Sequence, residues 1–132
     1  MPAENHKMKI LAIDDADLER ELLIEVLKGS GITNEFLQAR DGDEALEILG
    51  KNYRDICLIL LDWQMPKVSG MEFMAGVIKV PAVSKIPIIM VSASGTDENK
   101  KKARDVNPSL GGYIVKPYKP EELVETIKPF LK

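Results

Sequence analysis

Apolar residues gather in short, nearly unbroken runs at Met8–Ile13, Ile56–Leu61 and Ile86–Val91, with a shorter one at Tyr113–Val115. Runs of this length, rich in Ile, Val and Leu and lacking polar alternation, predict strands buried on both faces, as in parallel sheets. Glu35–Ala39 is a weaker strand candidate between the first two. Helical patterns fill the gaps. Leu18, Leu22, Leu23, Val26 and Leu27 fall on one predicted helix face, with Glu19, Arg20, Glu21, Glu25 and Lys28 elsewhere and Gly29 and Gly31 as a stop signal. Asp41 followed three residues later by Glu44 predicts a capping box opening a helix through Ala45, Leu46 and Leu49. Gly70–Lys79 is helix-compatible and ends before Pro81. A fourth helix, Asp97–Asp105, has only Ala103, Val106 and Leu110 with which to pack and is cut short by Pro108, so it is expected to be weakly held. A last apolar stripe comprises Leu123, Val124, Ile127, Phe130 and Leu131; Pro120 suits its first position and Pro129 should loosen its final turn.

Strand and helix therefore alternate five times. Such alternation predicts a parallel sheet with helices on both faces and right-handed crossovers, a doubly wound α/β domain. The whole chain, 1–132, is expected to be one domain, with about residues 1–7 as a loose leading segment; no repeat, low-complexity tract or interior linker interrupts it.

Composition narrows the function classes. Hydrophobic residues make up 45% of the 132, enough for a core without disulfide or metal staples. Eighteen basic against 21 acidic residues leave a net charge of −3, which argues against direct nucleic-acid binding. One cysteine and one histidine exclude an internal disulfide and a Cys/His zinc site, and the single thiol suits a reducing compartment. No apolar run approaches the roughly 20 residues of a membrane span, and Met1–Lys9 lacks the apolar stretch of a signal peptide. A cytoplasmic protein without membrane insertion is expected.

Doubly wound sheets bind ligands outside the carboxyl ends of their strands. The first predicted strand ends in Asp14-Asp15, the third in Asp62, the fourth in Ser92-Ala93 and the fifth in Lys116-Pro117. Singly, each is ordinary: an Asp pair caps helices, and a strand-end lysine is commonplace. Together they place three carboxylates, a hydroxyl and an amine on one rim. Clustered aspartates repel and raise one another's pKa unless a cation neutralises them. Oxygen donors alone favour a hard ion such as Mg2+, which also bridges to phosphate. A lysine and a hydroxyl nearby complete a site for a phosphoryl group, and a carboxylate can itself be the nucleophile.

These residues resemble the receiver domain of bacterial two-component response regulators, in particular the stand-alone, chemotaxis-type proteins. The resemblance runs from Lys9 to Leu131 and rests on Ile10-Leu-Ala-Ile-Asp-Asp15, Asp41-Gly-Asp-Glu-Ala-Leu46, Leu61-Asp-Trp-Gln-Met-Pro66 with Gly70, Val91-Ser-Ala93 and Gly112-Tyr-Ile-Val-Lys-Pro117 in that order. It implies a (βα)5 flavodoxin-like fold with strand order 2-1-3-4-5. It implies that Asp62 is the phosphoacceptor, taking its phosphoryl group from a phosphohistidine. Asp14, Asp15, Asp62 and the backbone carbonyl of Gln64 would hold Mg2+. Lys116 would bond the phosphoryl oxygen, with a cis peptide before Pro117; Ser92 and Tyr113 would be the hydroxyl and aromatic members of a switch. The implied partners are a sensor histidine kinase or phosphotransfer protein, and a downstream protein target on the face of the fourth helix, fifth strand and fifth helix. The implied protein is a monomer or phosphorylation-dependent dimer, a signalling module rather than a turnover enzyme.

Some positions depart from the pattern. Ser69 stands where many relatives have an acidic or amide residue; Gln64 and Ser94 sit where relatives tune the lifetime of the acyl phosphate. An aspartate-nucleophile phosphatase would need a second Asp at position 64, which is Gln64. A degenerate receiver, binding partners without phosphorylation, is the competing reading, although such proteins usually lack an acidic-site residue or the lysine. No output segment follows the fifth helix in these residues, so output is expected through protein contact, or through a domain lying outside them if they are a piece of a longer chain. Cys57 is expected to be buried, Trp63 to lie partly exposed at the rim, and His6 to play no part as a phosphoryl donor.

Overall fold

A computed structural model describes residues 7–65 and 68–132. The chain alternates through β1 (Lys9–Ile13), α1 (Asp17–Gly29), β2 (Phe36–Ala39), α2 (Gly42–Asn52), β3 (Ile56–Leu61), α3 (Gly70–Val77), β4 (Ile88–Ser92), α4 (Asp97–Val106), β5 (Gly112–Val115) and α5 (Pro120–Ile127). The strands form one parallel sheet in the order β2-β1-β3-β4-β5. Every residue of β3 and β4 is buried, as unalternated apolar runs require of central strands.

Successive side chains on a strand point to opposite faces, and two cores result. On one face Leu11, Ile13, Ile59, Leu61 and Met90 pack with Ala45 and Leu49 of α2, Phe73, Met74 and Val77 of α3, and Ala103 of α4. On the other, Ile10, Leu58, Leu60, Ile89 and Ile114 meet Leu23 and Leu27 of α1 and Leu123 and Ile127 of α5. Each fully buried Leu or Ile contributes about 1.5–3 kcal/mol of transfer free energy. Among the described residues no helix is long and apolar enough to cross a membrane.

The largest difference from the sequence-based reading lies on α1. Leu18 and Leu22, assigned to its apolar face, are 69% and 49% exposed, whereas Leu23, Ile24, Leu27 and Arg20 are buried. The buried face is therefore the 20-23-24-27 stripe, rotated from the one expected. α1 ends as anticipated: Gly31 has φ +93°, and the amides of Gly31 and Ile32 bond the carbonyls of Lys28 and Leu27, a Schellman closure that needs the left-handed residue.

Strand and helix ends shift for local reasons. β4 begins at Ile88 rather than Ile86, because Pro87 has no N–H to pair; its carbonyl accepts from the Ile59 amide at 2.9 Å. α3 stops at Val77, short of Lys79, and hydrogen-bonded turns carry the chain to β4. α4 extends one residue past Asp105 and buries only Ala103, as its thin stripe implied. Lys119 and Pro120 open α5, whose end tightens into a 3₁₀ turn at Lys128–Phe130 around Pro129. Asp41 caps α2 by accepting from the Glu44 amide at 2.8 Å, while the Glu44 carboxylate returns to the amide of Arg40 instead of Asp41. Leu46 on that helix is exposed, and Cys57 is buried. The leading residues 1–6, His6 among them, and Pro66 of the Asp62 segment lie outside the described residues.

Candidate functional site

The pairing of β1 with β3 builds the acidic centre. Ile13 stands opposite Leu61, so the residues that follow, Asp14 and Asp62, leave the sheet side by side. The Asp62 amide donates to the Ile13 carbonyl at 3.0 Å, and the Asp14 amide to the Ala39 carbonyl of β2 at 3.1 Å. Carboxylate oxygens of Asp14, Asp15 and Asp62 lie within 4.8 Å of one another, with Asp14 and Asp62 buried and Asp15 exposed.

Backbone constraints hold this geometry. The Asp14 carboxylate accepts from the Ala16 amide at 2.9 Å as the chain turns into α1. After Asp62 the chain folds back so tightly that a Cβ on Gly70 would lie 2.2 Å from the Asp62 carbonyl oxygen, and the Gly70 amide donates to the Trp63 carbonyl at 2.8 Å. Glycine is required there for space. Ser69 begins α3 with a full capping box: its hydroxyl accepts from the Glu72 amide at 3.2 Å and its amide donates to the Glu72 carboxylate at 3.5 Å. The departure at Ser69 thus supplies a helix cap.

The second half of the chain brings the donors. The Lys116 amide donates to the Ser92 carbonyl at 2.9 Å, locking the ends of β4 and β5 together, and the Lys116–Pro117 peptide is cis. The Lys116 ammonium crosses the rim to Asp14 at 2.9 Å and Glu19 at 3.1 Å. Ser92 is buried and its hydroxyl accepts from the Ser94 amide at 3.2 Å. Tyr113, half-buried on β5, donates its hydroxyl to the Ser94 carbonyl, and the Asn99 amide of α4 donates to the Ser94 hydroxyl. Gln64 is exposed and shares a shallow depression with Asp15, Trp63, Met65 and Ser69. Trp63 is partly exposed beside the acids. On the opposite side a cavity of about 430 Å³ has Asp14, Asp62, Glu19 and Lys116 on its polar edge and Leu22 and Tyr118 among its apolar lining.

Charge in this centre is incompletely balanced. Burial pushes the Asp62 carboxyl up from 3.8 to about 6; the attraction of Lys116 and a hydrogen bond from the Trp63 backbone oppose the rise, and the charges of Asp14 and Asp15 add to it. Burial works against the charge on Lys116, but the hydrogen bond and charge of Asp14, the charge of Asp62 and the contact with Glu19 prevail and hold its pKa above the ordinary lysine range. Burial raises the phenols of Tyr113 and Tyr118. Three carboxylates sharing one lysine leave negative charge in excess. Oxygen donors at this spacing fit a hard divalent cation, which would relieve that excess.

Asp14, Asp15, Asp62 and Lys116 thus converge as the sequence predicts, with Ser92, Tyr113 and Gln64 around them. Two residues escaped sequence reasoning. Glu19 meets a lysine 97 positions away. Arg20 is buried, and its guanidinium donates to the Asp14 carbonyl at 2.6 Å, to the Gln38 side chain at 2.8 Å and to Asp17 at 2.7 Å. The available signal for Arg20 was its register with Leu23, Ile24 and Leu27, which hydropathy alone ignores.

Comparison with known proteins agrees. Residues 10–128 match the family described as response regulator receiver domain. The chain is 33% identical over 124 residues to the phosphate regulon transcriptional regulatory protein PhoB of Escherichia coli, covering 94% of this chain and 52% of that protein. It therefore spans about half the length of those first curated relatives. It is 32% identical to a chemotaxis protein CheY homolog of Campylobacter jejuni, covering 94% of this chain and 92% of the other. The structure of Vibrio cholerae chemotaxis protein CheY4 superposes with a TM-score of 0.82 at 30% identity, covering 95% of this chain and 99% of that one. With its five parallel strands in the order 2-1-3-4-5 and its acidic rim, the chain belongs to the response regulator receiver domain family of two-component systems.

Proposed function

We propose that the protein is a phosphorylation-controlled receiver whose Asp62 accepts a phosphoryl group from a phosphohistidine on a sensor histidine kinase or phosphotransfer protein. The observation that carries this reading is the convergence of Asp14, Asp15 and Asp62 within 4.8 Å, with the Lys116 ammonium at 2.9 Å from Asp14.

A carboxylate oxygen of Asp62 attacks phosphorus while the P–N bond breaks, and the imidazole leaves with the electron pair. Asp14, Asp15, Asp62 and the Gln64 backbone carbonyl would hold Mg2+, which when bound supplies positive charge to the phosphoryl oxygens. Lys116 turns from its carboxylate partners to one of those oxygens, and the Ser92 hydroxyl leaves the Ser94 amide to donate to another. A displaced hydroxyl vacates space beside β4, into which the ring of Tyr113 can move once its bond to the Ser94 carbonyl is released. The added group carries about two negative charges, so the rearrangement is driven by local electrostatics acting on a two-state element.

The chain transforms only itself in this reading and turns over no separate substrate. Output passes through the face of α4, β5 and α5 to a downstream protein in the cytoplasm; the slight apolar contact of α4 makes that helix the readiest to shift.

The test is titration of the purified protein with Mg2+ and then phosphoramidate, followed by Trp63 fluorescence and intact mass. One added phosphoryl group, absent in Asp62→Asn, is the expected result. No added mass at any Mg2+ concentration would leave a partner-binding scaffold and sink the phosphoacceptor role.

A further inference from the structure

Lys116 is gripped from two sides. Its ammonium lies 2.9 Å from Asp14 and 3.1 Å from Glu19, and its side chain is 17% exposed where that of Glu19 is 58% exposed. Asp14 belongs to the acidic cluster, whereas Glu19 stands outside it. Glu19, Lys116 and Asp62 line one cavity. The turn of α1 that carries Glu19 is anchored by its neighbour Arg20, whose guanidinium holds the Asp14 carbonyl and the Gln38 and Asp17 side chains.

We infer that Glu19 is an electrostatic brake on phosphoryl acceptance, a positioning residue that retains Lys116 on the α1 side of the cavity and sets a negative charge at its mouth. The inference rests on the phosphoacceptor reading and narrows it to a class of donor. A phosphoryl oxygen reaching Asp62 needs the lysine that Glu19 holds, and an approaching anion meets the Glu19 carboxylate. The first effect is the same for every donor, whereas the second grows with the negative charge of the donor. Small acyl phosphates, close to dianionic at neutral pH, are therefore disfavoured more than phosphoramidate, whose protonated nitrogen offsets part of its charge. In either reaction an Asp62 oxygen forms the new O–P bond. With acetyl phosphate the P–O bond to acetate breaks and acetate takes the electron pair; with phosphoramidate the P–N bond breaks and ammonia leaves with it. No oxidant or reductant takes part.

The experiment compares initial rates of Asp62 labelling, by intact mass and by Trp63 fluorescence, in the full chain with Mg2+. Wild type, Glu19→Gln and the control Glu21→Gln are each given acetyl phosphate and phosphoramidate. An ion pair with one exposed member implies that Glu19→Gln labels about fivefold faster with acetyl phosphate at low ionic strength. The gain should be smaller with phosphoramidate, and should shrink towards one near 1 M salt, where the Debye length is about 3 Å. Glu21→Gln, exposed on the same helix and outside the cavity, should match wild type. Equal rates for Glu19→Gln and wild type overturn the inference. So does a gain that is identical for both donors and indifferent to salt, since that marks structural loosening and not charge. If neither wild type nor Glu19→Gln gains mass from either donor, the phosphoacceptor reading itself has failed, a result distinct from equal but measurable rates.

Discussion

Asp62→Asn should make the metal-free protein more stable, although it removes the proposed reactive group. Asp62 is 9% exposed, and its carboxyl is raised from 3.8 to about 6, chiefly by burial. The folded state therefore binds a proton more tightly than the unfolded chain. Stability contributed at this position falls as pH rises from about 4 to about 6, and the full penalty persists above that window. At about 1.4 kcal/mol for each tenfold change in acidity constant, the ceiling is about 3 kcal/mol. The attraction of Lys116 is already contained in that net rise, and contact with the open rim reduces the expected gain to about 1–2 kcal/mol. Asparagine nearly preserves the shape while removing the charge. Urea unfolding with a chelator present, followed by Trp63 fluorescence at pH 4 and pH 7.5, gives the comparison. The variant should exceed wild type at pH 7.5, and the two should approach each other at pH 4. Mg2+ should stabilise wild type more than the variant, since a ligand of the folded state stabilises it by mass action. A variant no more stable than wild type at pH 7.5, at unchanged m-value, would refute the claim that Asp62 carries an uncompensated buried charge.

Other perturbations probe the scaffold of the site. Arg20→Met should cost about 2–4 kcal/mol in urea unfolding, because it strips hydrogen bonds from the buried Asp14 carbonyl, from Gln38 and from Asp17; an unmoved midpoint would show that the network is dispensable. Gly70→Ala forces a methyl to within 2.2 Å of the Asp62 carbonyl oxygen, so both stability and the Mg2+ response of Trp63 should fall, and wild-type behaviour in both would contradict that close approach. Ser69→Ala should cost about 1 kcal/mol through the lost cap of α3 while sparing Asp62 labelling, and intact stability by thermal unfolding would count against the capping box.

Much of the site was readable in one dimension because strand ends are. Ile56–Leu61 is a full apolar run, so its boundary marks Asp62, and the parallel order then sets Asp62 beside Asp14. Where the reading slipped, the missing information was tertiary. Hydropathy places the apolar stripe of α1 on Leu18 and Leu22 because it scores an arginine as polar wherever it lies. Arg20 is nevertheless buried, because a carbonyl, an amide oxygen and a carboxylate from three places in the chain satisfy its donors. Neither Gln38 on β2 nor the carbonyl of Asp14 announces that role locally. The Glu19–Lys116 contact was equally hidden, since it needs α1 and α5 on one face of the sheet and a lysine that reaches across the rim from the end of β5. β4 starts two residues after its apolar run does for a local reason, the missing N–H of Pro87.

All three carboxylates are encoded before Trp63, whereas Ser92 ends β4 and Lys116 follows β5. During vectorial synthesis the acidic half therefore emerges from the ribosome first. A nascent chain that has already paired β1 with β3 would hold its aspartates together with no lysine to face them. Closure of the domain by β5 then delivers the counter-charge together with the last strand. The Asp14–Lys116 contact, between residues 102 positions apart, therefore forms only once the last strand has docked.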